Sequence, residues 1–217
     1  MALSVLNNEQ TTGVATTLTI TSAEAGNYLV AFVSGSVIGT ITGADNISGS
    51  TGWTTNSTTA NNGTVSMAVA YKLAVGGETT LEPTQSGGSV QGIAYFEVAG
   101  NNSIAPIIDV IVATNGSSPA TTLASSSVTT TYANDIILAD VGAANTGLTM
   151  GAPTAWTSYV LTNITTSSSN TVGGSIIPGA TVSGKTPTGN WTTSRLPAGM
   201  IVIALAPISG INLAWTV

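Results

Sequence analysis

The chain has 217 residues, 42% of them hydrophobic and only 6% charged, with a net charge of −6 and neither cysteine nor histidine. That balance excludes a disordered body, since disordered chains combine low hydrophobicity with high charge. Lys72, Lys185 and Arg195 are too few to hold a phosphate backbone, so nucleic acid is not an expected partner.

The missing Cys and His remove disulfides, thiol catalysis, imidazole bases and the usual zinc ligands together. The longest apolar run, residues 197–208, is strand-sized and far short of the roughly 20 residues that span a membrane as a helix, so membrane insertion is not expected. The opening "MALSVLNNEQ" has no basic segment followed by a sustained apolar one, so no secretory signal is expected either.

In chain order, residues 1–14 read as an N-terminal arm in which Leu3, Val5 and Leu6 form a short apolar strand. Helical periodicity is nearly absent thereafter, because Gly, Pro, Asn and Thr interrupt each stretch. Strands are predicted over 16–21, 28–33, 64–74, 79–84, 90–99 and 106–114, where β-branched or alternating runs are bounded by turn residues. A second series is predicted over 126–131, 135–141, 156–164, 172–182 and 199–206. The chain closes on "ISGINLAWTV", where an extended strand would set Ile211, Leu213, Trp215 and Val217 on one face.

The two series echo each other. Leu29-Val30-Ala31 matches Ile137-Leu138-Ala139 at an offset of 108, Trp53 matches Trp156 at 103, and Val98-Ala99 matches Leu205-Ala206 at 107. The expected fold is all-β: a single antiparallel β-sandwich over 15–207, built from pseudo-repeats of about 15–114 and 115–207, each giving strands to both sheets. Residues 208–217 are a C-terminal strand or arm.

The succession "GNYLVAFVS", "TGWTTN", "VSMAVAYKLAVGGETTLEPTQSGG", "IAYFEVAGNNSIAPIIDV", "SSVTTTYANDIILADVG", "APTAWTSYV" and "LPAGMIVIALAP" resembles a family of jelly-roll sandwich domains, with the likeness covering roughly residues 15–207. That family occurs in virion proteins of tailed bacteriophages and in bacterial secreted or surface proteins. The resemblance implies a structural or adhesive module without shared catalytic residues. A chain that starts and stops close to the sandwich fits a stand-alone virion component.

Few residues are candidates for chemistry. Glu97, Asp109, Asp135 and Asp140 are the carboxylates from which a glycosidase pair would be drawn, provided two of them flank a bond across roughly 5 to 10 Å; the plainer reading is a turn cap or a solvated side chain. Asp45 and Asn46 in "GADNISGS" suit either a calcium loop or an Asx-turn, and one acidic residue is thin provision for a divalent ion. No catalytic, metal or cofactor site is assigned.

Trp53 and Trp156, at matching places, suit plugs for the ends of the core, whereas Trp191 beside Asn190 has polar neighbours and suits stacking on a sugar. The two ends, Leu3, Val5 and Leu6 with Ile211, Leu213, Trp215 and Val217, suit strand addition to a neighbouring subunit, or packing on their own domain. The resulting expectation is a non-enzymatic subunit of a virion exterior, a capsid decoration or tail protein whose partners are copies of itself and other virion proteins. The alternative is an extracellular carbohydrate-binding adhesin that recognises host glycans.

Overall fold

Gly- and Asn-rich turns every few residues leave no room for helical turns to accumulate, and the computed structural model accordingly contains strands and no helix among its described residues. These residues are 3–11, 15–36, 39–47, 52–56, 60–61, 66–99, 107–116, 119–132, 135–143, 150–154, 174–176, 188–195 and 197–207. The strands up to residue 99 are β1 (Ser4–Gln10), β2 (Leu18–Thr19), β3 (Tyr28–Gly35), β4 (Ile41–Thr42), β5 (Thr54–Thr55), β6 (Ala60–Asn61), β7 (Ser66–Leu73), β8 (Thr80–Leu81), β9 (Thr84–Gln85) and β10 (Val90–Ala99). Those beyond it are β11 (Ile107–Asn115), β12 (Ala120–Ala124), β13 (Ile136–Ala143), β14 (Met150–Thr154), β15 (Gly174–Ile176), β16 (Thr188–Arg195) and β17 (Pro197–Ala206).

Two large antiparallel sheets dominate. The first runs β1-β10-β3-β7-β5, with β6 also on β7; the second runs β11-β17-β13-β15. Smaller sheets, β2-β8, β4-β9 and β12-β16-β14, complete the described pairings. Strands before residue 100 make one large sheet and strands after 106 the other, in place of the expected interleaving of both halves through both sheets. Local pairing closes shorter loops and so costs less chain entropy. The orders run in parallel: in each sheet a leading strand lies beside the closing strand, which lies beside the first long apolar strand.

The large sheets face each other across one core. Val30, Phe32, Met67, Val69, Phe96 and Val98 from the first meet Ile136, Leu138, Ile201, Ile203 and Leu205 from the second, and Phe32 sets its ring edge-on to Phe96 at 6.1 Å. On the other side of the first sheet, Leu29, Ala31, Val33, Ala68, Ile93 and Tyr95 pack with Leu18, Ile20, Ile41 and Leu81. β3 is thus buried on both faces, which is why "YLVAFV" is continuously apolar where a half-buried strand would alternate. Each large aliphatic or aromatic side chain so buried stabilises the fold by about 1.5–3 kcal/mol.

Several predicted elements moved. Residues 16–21 narrow to β2, and 126–131 hold an isolated bridge at Val128, the nearby strand being β12. The arm predicted at 1–14 contributes β1, a full member of the first sheet. β16 is a strand in a stretch where none was predicted from the sequence. Residues 156–164 and the tail 208–217, with Ile211, Leu213, Trp215 and Val217, lie outside the described residues, as does Trp156.

Candidate functional site

The densest polar cluster lies beneath the first sheet, on the side of the second core. Lys72 sits on β7 opposite Leu29, in line with Ala70 and Ala68, so its side chain enters the layer that also holds Leu29 and Ala31. Asp45 follows β4 and bridges to Leu81, while Glu78 precedes β8. The Lys72 ammonium lies 2.7 Å from Asp45 Oδ2 and 2.9 Å from Glu78 Oε1, with side-chain exposures of 2% for the lysine and 0% for both acids.

Each acid has further donors. Ile47 N donates to Asp45 Oδ1 at 2.9 Å and Trp53 Nε1 to Asp45 Oδ2 at 2.7 Å. Val75 N and Gly76 N donate to the two oxygens of Glu78, both at 2.9 Å. Gly76 and Gly77 have φ of 92° and 87°, the left-handed conformation that lets the chain curl its amides onto Glu78. The Trp53 ring lies 5.8 Å from the Lys72 ammonium. Gly43 keeps that ring in place, since a Cβ there would sit 2.8 Å from Ala70 Cβ and 3.0 Å from the indole.

The cluster favours the charged state. Burial opposes ionisation of Asp45, but the hydrogen bonds from Lys72, Ile47 and Trp53 outweigh it and hold the carboxyl below its ordinary value. Glu78 is lowered in the same way, against burial, by Lys72 and by backbone amides. Burial likewise works against the Lys72 cation, and its two carboxylate partners reverse that and raise it.

The Asp45 turn resolves as an Asx-type arrangement, its side chain accepting from the amide two residues on. Asn46 Oδ1 accepts from Thr79 N at 2.8 Å and Thr80 N at 2.9 Å, so both side chains of the weighed calcium loop serve N–H donors. Trp53 is half-buried against the second core, in keeping with a plug.

The structure pairs two of the four carboxylates weighed for glycoside chemistry. Glu97 on β10 is fully buried and accepts from Asn7 Nδ2 and Asn27 Nδ2, both at 2.6 Å, and from Glu24 N at 3.0 Å, tying β1 and the turn before β3 to β10. Asp140 is buried within β13. The structure brings Asp109 and Asp135 together. Asp109 sits at the register shift between Ile108 and Val110 in β11 and accepts from Thr131 N at 2.5 Å, while Asp135 is fully buried just before β13.

Among the described residues no N–H or O–H donor reaches either Asp135 oxygen, so contact with the Asp109 carboxyl needs one proton between them. Burial, then the Asp109 carboxyl and its charge, push Asp135 up to about 7. Two acids in hydrogen-bonding contact stand closer than the roughly 5 Å that even a retaining glycosidase needs between its carboxyls. Among the described residues no three acidic side chains converge as a metal-binding group.

Trp191 and Asn190 lie in β16, the middle strand of its sheet, where Trp191 pairs with Met150 and Asn190 with Gly151 and Thr122. Leu3 is buried in the central core and Val5 packs against it, whereas Leu6 is 49% exposed on β1. Sequence reasoning missed Lys72 and Glu78. The available signal was the lysine itself, one of three basic residues in the chain, set in the apolar strand "SMAVAYKL". A scan against models of protein families, a search of curated proteins and a search of solved structures each return no match.

Proposed function

We propose that the chain is a non-enzymatic structural subunit of a phage virion exterior, a capsid decoration or tail protein that works through contacts with copies of itself and other virion proteins. The observation that carries the assembly part of this reading is the edge of the first sheet. Among the described residues β1 pairs with β10 alone, its side chains alternate between exposed and half-buried, and its Leu6, at the register shift between Val5 and Asn7, stands in the open. An edge of that kind offers a row of backbone donors and acceptors to an incoming strand.

The virion assignment draws on the residue-level likeness to jelly-roll virion domains, and the matching strand orders of the two large sheets support a body built from two related halves. Both large sheets turn apolar faces into the shared core, which favours edges and loops as contact surfaces.

The test is the oligomeric state of the full chain by light scattering, and its binding to purified capsids or tails. Leu6→Lys should weaken self-association or docking at least tenfold while circular dichroism stays unchanged, and removal of residues 209–217 should do the same. Association indifferent to both changes would reject the edge. Glycan binding that disappears in Trp191→Ala would replace this reading with the adhesin.

A further inference from the structure

A chain with three basic residues spends one of them in its interior, between two carboxylates. Stability alone is a weak reason for that, because buried ion pairs recover little beyond their desolvation cost and well-packed apolar residues serve as well or better. The triad also buries one negative charge in excess, two acids against one lysine. Its geometry suits a reaction within the chain.

We propose that Lys72 and Asp45 condense autocatalytically into an intramolecular amide, with Glu78 as the proton carrier. The nitrogen lies 2.7 Å from Asp45 Oδ2, which places it within about 4 Å of the carboxyl carbon, close to attack distance, and β7 and the Asp45 turn hold both partners there. Glu78 Oε1, at 2.9 Å from the same nitrogen, takes one ammonium proton and passes it to Asp45, which frees the lone pair and gives it a neutral carboxyl to attack. The amine adds to Asp45 Cγ, and Ile47 N–H on one oxygen and Trp53 Nε1–H on the other stabilise the negative charge that develops.

Glu78 then takes a second proton from the nitrogen of the adduct and delivers it to the Asp45 hydroxyl, which departs as water. One C–N bond forms and one C–O bond breaks. Of the three ammonium hydrogens one stays on the amide and two leave with an Asp45 oxygen as water, the two charges cancel, and Glu78 ends as it began. No oxidant, metal or cofactor enters. Val75 N and Gly76 N keep Glu78 aimed at the lysine throughout, and the apolar layer around the cluster keeps out the bulk water that would favour the reverse reaction.

The product closes a covalent loop between positions 27 residues apart, tying the loop after β4 to the end of β7, an interior strand of the first sheet. A cross-link of this kind hardens the fold without cysteine.

Intact mass measurement of the purified full chain decides the matter. The expected mass is lower than that of the sequence by one water molecule, and trypsin should fail to cut after Lys72 even in the denatured chain, leaving one peptide of residues 1–185 that carries an internal loop from Asp45 to Lys72. Lys72→Arg, which keeps the positive charge but cannot form this amide under these conditions, should restore the full mass, as should Glu78→Gln. A wild-type chain of full sequence mass, cut normally after Lys72, overturns the proposal. So does a water loss that persists in Lys72→Arg, which would place it elsewhere. Water loss retained in Glu78→Gln would overturn the role of Glu78.

Discussion

Single side chains in this protein are governed by what is buried with them. Glu97 and Asp135 are both fully enclosed acids, yet among the described residues one has three donors and the other only a second acid. The difference sets a pH dependence. Asp135 is raised from 3.8 to about 7, so between those values the folded chain keeps a proton that the unfolded chain has lost. Its contribution to stability is complete below the unfolded value and is lost as pH rises through about 7, a total on the order of a few kcal/mol.

Asp45 and Glu78 are lowered and act in the opposite sense, losing their contribution only as pH falls below their ordinary values, so a comparison of pH 5 with pH 8 isolates Asp135. Asp135→Asn supplies Asp109 with a permanent N–H donor. The variant should melt at nearly equal temperatures at pH 5 and pH 8, whereas the parent should melt several degrees lower at pH 8. An equal pH difference in both proteins would separate the effect from Asp135.

At the scale of the element, β3 shows why a strand's hydrophobic pattern reports how many of its faces are covered. Leu29 faces the second core and Phe32 the central one, and both are fully buried. Leu29→Ala should therefore cost about 2–5 kcal/mol and Phe32→Ala about 3–5 kcal/mol in urea unfolding, so that both parities matter, where a half-buried strand would feel only one. A loss confined to one of the two would mean that one face of the sheet is open.

The same logic explains which strands were legible in the sequence. The long apolar ones, β3, β10, β13 and β17, are continuous because both faces are buried. β16 was not legible, since "TGNWTTSR" carries no apolar alternation and its place is settled by its pairing with β12 and β14. The N-terminal segment was legible as a strand but not as a member of the sheet, because the register Ser4↔Ala99 through Gln10↔Ala94 joins residues far apart in the chain.

For the whole molecule, the central core is shared property. Ile203 and Leu205 of the second sheet touch the same apolar layer as Phe32 and Val69 of the first, so neither large sheet has a complete interior of its own on that side. Ile203→Ala should accordingly lower amide exchange protection in β3 and β7 as well as in β17 and β13, within one cooperative transition. Exchange that rises in the second sheet alone would show the halves to be energetically independent. The joint core turns broad apolar faces inward and leaves β1 at an edge of the first sheet among the described residues.

By itself the sequence determined the fold class, the long strands, the echo between the halves and the absence of thiol and imidazole chemistry, because these follow from composition and from period, which are local properties. It also singled out Asp45, Glu97, Asp109 and Asp135 as acids worth weighing. Only the tertiary structure decided their company: Lys72 with Asp45 and Glu78, Glu97 with Asn7 and Asn27, Asp109 with Asp135. The physical reason is that a charge in a low-dielectric interior takes its properties from neighbours within a few ångströms. In this chain those neighbours arrive from distant strands, through a register that no short stretch of sequence contains.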